Sequence, residues 1–597
     1  MKSSILYRIF PLVLAAFAAL PASGQNLDPT VEVSRAYEGK LMEVHKPQLK
    51  MAVPDSVLRF DLEFDYSVSE SPYKGAYEFS PYTLDMKPSP TFRDINSFYL
   101  KAGAGYQLHP VFDMVWSPVF KSPFRMNVYA SHRSFVGKYH TMANPSLSDA
   151  EAVLGKMEKT DGSSRAWPGY DLRTKAGVEG RYDWQNAFFG FDAGYEGLHQ
   201  QERKFHVSGR GYNSAVVNLV TASKNHPDVP LQYKADVSYR FAEDILTDTA
   251  LPETSLMEND LAVEGDLAYA FHNGDRLALD LGYDMAMVDG GLFAAGGDFD
   301  VVPHYVMDRN RWHLDVGVRI SAAFRTDGIS DMYGYEDQTV YPDVRVEFKA
   351  IPDAMKVYLD LGGDSRVNSY ADLLAHNPRA HMRYGRGLWN ILDIEDEKFA
   401  LAAGLEGRIG TRFSYDLSGG YASYGNALLE GAVMQDATAA ILPYWMPALG
   451  YASYDKAFAS LEWLLALEHF RFDGTVNYAY YASRSDETDK GLLFPAALTG
   501  DVAFAYDWKE RVFVGLDCCF SSARKGIAYY SMNQFLKKPV DARVPGYADL
   551  GLEFEYVVNR KLSAWARGGN LLGMTIQRSL LYAEKGPYFT LGICLNL

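Results

Sequence analysis

The chain has 597 residues, a formal net charge of −17 and a mean hydropathy of −0.19. The charge argues against a nucleic-acid partner, and the hydropathy argues against a helical membrane protein. The 41 Tyr, 33 Phe and 9 Trp make up 14% of the residues, a ring content of the kind that membrane β-barrels place in interfacial girdles.

Residues 1–24 read as a secretory signal peptide. Lys2 and Arg8 give a basic start, Ile9 to Leu20 is apolar apart from Pro11, and Ala22-Ser23-Gly24 offers small residues before Gln25. No Cys lies nearby, so a lipid-anchored N-terminus is not indicated. The three Cys are Cys518, Cys519 and Cys594, neither a disulfide framework nor a zinc pattern.

Residues 25–94 differ in character from the rest of the chain. They open polar and without period, then alternate through Val57–Val68, where Leu58, Phe60, Leu62 and Phe64 oppose Arg59, Asp61, Glu63 and Asp65. An aromatic, Pro-containing run comes next. The segment is expected in the periplasm or inserted in a lumen, with a contributed strand as a third alternative.

From about residue 95 to 597 the chain becomes a succession of alternating strands, with no helical period between them. Leu279, Leu281, Tyr283 and Met285 oppose Asp280 and Asp284. Val316, Val318 and Ile320 oppose Asp315 and Arg319. Val344, Val346 and Phe348 oppose Asp343, Arg345, Glu347 and Lys349. Leu550, Leu552 and Phe554 oppose Asp549, Glu553 and Glu555. In the final stretch Phe589, Leu591, Ile593, Leu595 and Leu597 share one face and Tyr588, Thr590, Gly592, Cys594 and Asn596 the other. Lipid outside and a polar lumen inside demand this split. The charged residues are therefore candidate lumen-facing positions, and the five apolar residues of the last strand candidate lipid-facing ones.

Short polar connections recur near Asn186, Pro227, Asn273, Asn310, Pro352, Gly410, Phe470, Lys509 and Asn559. Longer ones lie between them, among them Gly137–Asp171, Asp364–Asp396, Ala422–Ala452 and Ser522–Pro545. Short periplasmic turns and long extracellular loops produce such an alternation. Counting back from the last stretch gives 22 strands, an even number as in single-chain bacterial barrels. The expected fold is all-β: a large antiparallel transmembrane β-barrel, in the outer membrane of a Gram-negative bacterium.

The end of the chain resembles the last hairpin of TonB-dependent receptor barrels. The residues that carry the likeness are Asn570-Leu571-Leu572 before the last loop and Gly586-Pro587-Tyr588-Phe589 opening the final strand. The resemblance implies a 22-stranded barrel over roughly residues 97–597. It departs before the barrel: about 70 residues stand where those receptors carry a plug of well over a hundred, and none reads as a plug. Asp28-Pro29-Thr30-Val31-Glu32-Val33 is faintly similar to an energy-coupling box, and an extended polar arm accounts for it better. Energised import is therefore not carried over with the fold.

No nucleophile elbow, phosphate-binding loop or zincin motif is present, and no catalytic, cofactor or metal residue is assigned. His376 and His381 share a loop without further ligands. Two functions of different class fit: a plugless, porin-like channel or transporter for small solutes, and a non-conducting scaffold of an outer-membrane complex, partnered by barrel-assembly components or surface lipoproteins. The second rests on the aromatic stretch holding Tyr421, Tyr424, Tyr444, Trp445, Tyr451 and Tyr454, since ring-rich surfaces suit contacts. Lipid is a partner in both.

Overall fold

The computed structural model describes residues 97–597 apart from 107, 142–150, 156–165, 204–207, 225–229, 248–253, 291–292, 328–334, 353, 380–391, 436–443, 485–491, 534–535 and 585. Residues 1–24, expected as a signal peptide, the segment 25–94 with its alternating stretch, and Asp28–Val33 lie outside the described residues, as does His381.

The alternating stretches form 22 wall strands, each antiparallel to its neighbours, and the wall closes on itself. Closure is made between Phe98–Gly105 and Tyr588–Asn596, in a register that runs from Tyr99 opposite Asn596 to Gly105 opposite Thr590. Phe98 and Leu597 exchange backbone hydrogen bonds of 2.9 and 2.8 Å at one end of this seam. With no free edge, the wall leaves no row of unpaired peptide groups to face lipid. No helix among the described residues is long and apolar enough to cross a membrane.

One rim carries tight turns. Lys509 and Glu510 both adopt positive φ (56° and 55°), the pattern of a two-residue hairpin turn. In the turn at 271–275, Gly274 has φ 90° and closes the loop by donating to the Phe271 carbonyl at 3.0 Å. Aromatic pairs stand beside these turns: Tyr182 with Trp184, Tyr269 with Phe271, Trp312 with Phe348 and Phe470 with Phe504, at centroid distances of 6.1, 5.3, 4.7 and 4.7 Å. They form a girdle at one membrane boundary.

The other rim is uneven. Wall strands run from six residues in Val111–Trp116 to 23 in Phe413–Gln435 and Tyr444–Ala466. The stretch Ala422–Ala452, expected as a long connection, is therefore mostly strand, with a register that continues from Ala427 opposite Ala452 to Gln435 opposite Tyr444. Sequence alternation lapses there because neither face needs to meet lipid once the strands pass beyond the apolar band, while backbone pairing needs no alternation. The rim also carries short strands outside the wall: Glu151–Val153, Leu492–Leu493, the hairpin Arg524–Asn533 with Leu536–Val544, and Tyr582–Ala583.

One face of the wall exposes large apolar side chains, as in Val316, Val318 and Ile320 and in Leu552, Phe554 and Tyr556. On the closing strand Phe589, Leu591, Ile593 and Leu597 are exposed and Leu595 is half-buried. Replacing Leu591 and Leu595 together by Asp is expected to block insertion. Each acid costs less than the roughly 2–4 kcal/mol of a mid-membrane Arg or Lys, yet the seam has few residue pairs to lose. Normal yield of heat-modifiable protein in the outer-membrane fraction would reject this assignment of the face.

The turn at 271–275 offers a pH test. The Tyr305 hydroxyl (2.6 Å), Arg309 (2.8 Å) and Asn273 (2.7 Å) all donate to Asp275, and hold its carboxyl below the usual range. A depressed acid stabilises the fold above the unfolded carboxyl value of about 3.9 and loses that contribution as pH falls through the folded value. Asp275→Asn is thus expected to lower the urea midpoint at pH 7. The gap to the native protein should close on acidification toward pH 3, and a pH-independent gap would contradict the role given to the charge.

Candidate functional site

The inner face is identified by a segment that crosses it. Between the thirteenth wall strand, Met355–Val367, and the fourteenth, Ile394–Ile409, the chain enters a seven-residue helix α1, Tyr370–His376. Ser369 caps it: its hydroxyl accepts from the Asp372 amide at 3.2 Å, and the Asp372 carboxylate accepts from the Ser369 amide at 2.9 Å. Asn377 ends it. Residues 368–379 are called the strap below.

The strap is gripped from several sides of the ring. The Tyr370 amide donates to Glu258 on the eighth wall strand, Thr254–Ala270, and its hydroxyl to Asp244 on the seventh, Leu231–Thr247. Asp244 pairs at 3.2 Å with Arg210 of the sixth strand, Ser208–Ser223, and both side chains are fully buried. Arg210 also donates to the Pro378 carbonyl. Arg379 lies 3.5 Å from Asp171 on the fourth strand, Ala166–Asp183, and over the Tyr582 ring at 4.7 Å. Asn368 donates to the Tyr451 hydroxyl at 3.2 Å, on the sixteenth strand, Tyr444–Ala466. Tyr370, Leu373 and Leu374 pack with Ala242, Leu256 and Leu449. A segment that leaves the thirteenth of 22 strands and touches the fourth spans the inside of the ring, so the side chains it meets face inward.

A second structure bridges the same mouth. The hairpin Arg524–Asn533 with Leu536–Val544, called the lid, pairs in parallel with the fifteenth strand (Val433 opposite Tyr529) and with Glu151–Val153 (Arg543 opposite Val153). Beneath it Phe135, Ala432, Trp445, Ala528, Val544 and Leu580 form one apolar cluster, joining nearly opposite parts of the wall.

Cross-strand parity from these contacts places all the charged positions singled out above, from Asp280 to Glu555, on the inner face. Neighbouring strands join several of them. Arg345 pairs with Glu347 at 2.7 Å and Asp360 at 3.3 Å, and Lys356 with Glu347 at 3.4 Å and Glu406 at 2.7 Å. Arg319 bridges Asp300 and Asp364 at 3.5 and 3.0 Å. His304 stands between Asp280 (3.2 Å) and Asp315 (2.8 Å). Arg578 binds Asp549 and Lys101 binds Glu553, at 2.6 and 2.9 Å, and the Ser563 hydroxyl donates to Glu555. Lys349 is exposed near the turn rim.

On the seventh to tenth strands carboxylates stand directly opposite each other: Asp236 with Glu264, Asp266 with Asp280, and Asp284 with Asp298. Like charges so placed repel. Lys234 opposite Asp266 and His304 at Asp280 relieve part of this repulsion, and acids still outnumber bases along the run.

Sequence periodicity missed the devices that stiffen the inner wall. Tyr129 lies flat over Gly177 and Gly194 on the next two strands and donates to Asp192 at 2.9 Å. Tyr341 donates to Asp396 and Tyr358 to Asp416, each across an intervening strand, at 2.9 Å. Trp565 covers Gly103 and Gly592 in the same manner at the seam. Periodicity also missed the strap contacts of Arg210, Asp244, Glu258 and Tyr370. The signal that could have shown α1 is Ser369 three residues before Asp372, then Leu373-Leu374 and an Asn377-Pro378 stop.

One expectation changes. Tyr424, Trp445, Tyr451 and Tyr454 are buried in the tall side of the wall and not on an open contact surface; Tyr454 packs on Tyr424 at 4.8 Å. Tyr421 is exposed, on a wall strand. His376 is exposed at the end of α1, and no group of three or more metal-binding side chains occurs among the described residues.

No protein-family profile and no curated protein matches the chain. Solved structures do match in fold. The copper transporter OprC aligns with a TM-score of 0.58 and 13% identity over 84% of this chain and 80% of its own. The FrpB iron transporter from Neisseria meningitidis gives 0.60 and 10% over 83% and 81%. A mutant of the ferric enterobactin receptor from Pseudomonas aeruginosa gives 0.58 and 12% over 84% and 80%. The chain therefore has the fold of the outer-membrane β-barrel transporters, and at this identity the likeness concerns the fold alone.

A Cβ at Gly177 would sit 2.5 Å from the Tyr129 hydroxyl oxygen. Gly177→Val is expected to expel that ring and lose its bond to Asp192, at about 1–3 kcal/mol of overpacking. Chemical unfolding of the refolded barrel should show the loss, and the double variant with Tyr129→Ala should show less of it. Equal losses in the two would reject the ring-on-glycine packing as the cause.

Proposed function

We propose that this protein is a transport barrel of the Gram-negative outer membrane, exported by residues 1–24. In this reading it passes small solutes, cations in preference to anions, through a lumen lined by the inner face. It is of TonB-dependent-receptor type in its barrel, without the plug, and works without energy coupling. Asp280, Asp284, Asp315, Arg319, Asp343, Arg345, Glu347, Lys349, Asp549, Glu553 and Glu555 line the path, and the closing strand faces lipid through Phe589, Leu591, Ile593, Leu595 and Leu597. The observation that carries the reading is the run of directly opposed carboxylates from Asp236 to Asp298. Lys234 opposite Asp266 and His304 beside Asp280 offset only part of this charge, since six carboxylates stand in the run. A negative, partly desolvated surface concentrates cations.

The lid supports a second reading, a non-conducting scaffold, because an apolar cluster joins opposite walls across the mouth. An open aromatic surface no longer supports it, since Trp445, Tyr451 and Tyr454 are buried.

Planar-bilayer recording of the purified chain in a potassium chloride gradient separates them. A reversal potential on the potassium side is expected, moving toward zero when Asp236 and Asp266 are both changed to Asn. Chloride selectivity would overturn the cation preference. A barrel silent both as purified and with the strap released, recovered with fixed partner proteins, would overturn transport.

A further inference from the structure

The strap and the lid close the same mouth by different chemistry. The lid rests on apolar side chains and on two parallel strand pairings. The strap packs on an apolar cluster of its own and adds a network of buried polar contacts centred on Tyr370, Arg210 and Asp244, whereas the lid has Arg524 on Glu430. Removing one partner of such a contact leaves the other charge buried and uncompensated, so the grip releases as a unit. The junction is also incompletely matched. Gln200 Oε1, Asp244 Oδ1, Glu258 Oε2 and Asn377 Nδ2 are buried and find no partner among the described protein groups. A seven-residue helix has little stability of its own in water, so α1 depends on the wall for its form.

Position adds to this. The strap spans the sector between the fourth and the thirteenth strands, which holds the opposed carboxylates; the lid spans the remaining sector, from the fifteenth strand to the third. The strap's two ends are tied down independently. At one the Val367 amide donates to Asp298 at 2.9 Å, and at the other Arg379 lies 3.5 Å from Asp171. The strap can let go at Tyr370 and Arg379 while the Val367 amide stays on Asp298.

We propose that residues 368–379 are a gate over the acid-lined half of the lumen, closed in this structure, with Tyr370 and Arg210 as its latch. The inference rests on the transport reading above. Tyr370 touches two strands at once through its amide and hydroxyl, and Arg210 ties Asp244 beneath it to Pro378 beyond it. Losing either side chain removes a tie to Asp244 or Pro378 and leaves α1 held there by the Tyr370 amide on Glu258 and by apolar packing.

The test uses the full chain refolded into liposomes, with osmotic swelling in a monosaccharide as the measure of flux and heat-modifiable mobility as the check on the barrel. Tyr370→Ala with Arg379→Ala is expected to raise the swelling rate at least tenfold and to speed amide exchange in residues 370–377. Tyr370→Phe keeps the ring and removes only the bond to Asp244. It covers the case in which the double variant fails to fold, and is expected to raise flux several-fold. Faster exchange in the strap with flux equal to the native protein would overturn the gate. High native flux that no strap variant changes would overturn the gate and leave transport standing. Absence of flux in native and strap-released barrels alike would overturn both.

Discussion

The whole molecule depends on one condition: peptide groups that face lipid must find their partners within the chain. The pairing of Phe98–Gly105 with Tyr588–Asn596 meets it by turning an open sheet into a ring. Once the ring is closed, the pleat gives each strand one face toward lipid and one toward the interior. The side chains obey that division, with Ile593 outside and Cys594 inside, and Val316 outside and Asp315 inside.

A ring of 22 strands is too wide for its side chains to meet across the middle. The chain deals with the interior in two ways. Along the wall, Tyr and Trp rings lie flat over glycines of the adjoining strand and reach a carboxylate or a carbonyl beyond, which shields the backbone without a core. At the mouth, loops fold inward and build small cores of their own, one around Tyr370 and one around Trp445. The acid-rich stretch from Asp236 to Asp298 lies partly under the first of these cores, which takes up Asp244, Glu258 and Asp298, while Asp236, Glu264 and Asp266 stand on the wall below it.

The wall was legible in the sequence because lipid on one side and polar contents on the other force a period of two, and because tight turns have a composition of their own. Strand ends at the loop rim were not legible. Past the apolar band the sequence loses its period at Tyr424–Leu429 while the ladder goes on through them with only a local irregularity. The inward-folded loops were hidden for a different reason. What fixes them is contact between residues far apart in the chain, such as Arg210 with Pro378 and Arg379 with Asp171, and no local pattern records such a meeting. The aromatic residues of 421–454 show the same limit: composition showed that rings were there, and only the tall wall showed that they face each other.

The unequal height of the wall has a mechanical meaning. The fifteenth and sixteenth strands are joined by register pairs from Phe413 with Leu465 to Gln435 with Tyr444, whereas the first and second share only those from Phe98 with Trp116 to Gly103 with Val111. Backbone bonds act in parallel along a ladder, so the force needed to pull neighbouring strands apart grows with its length. The cylinder therefore has a stiff spine on one side and a compliant hem on the other. Stress delivered by lateral pressure in the bilayer or by a tug on a loop concentrates at the hem, where the first and last strands meet. The spine keeps its shape and with it the footing of the strap at Tyr451.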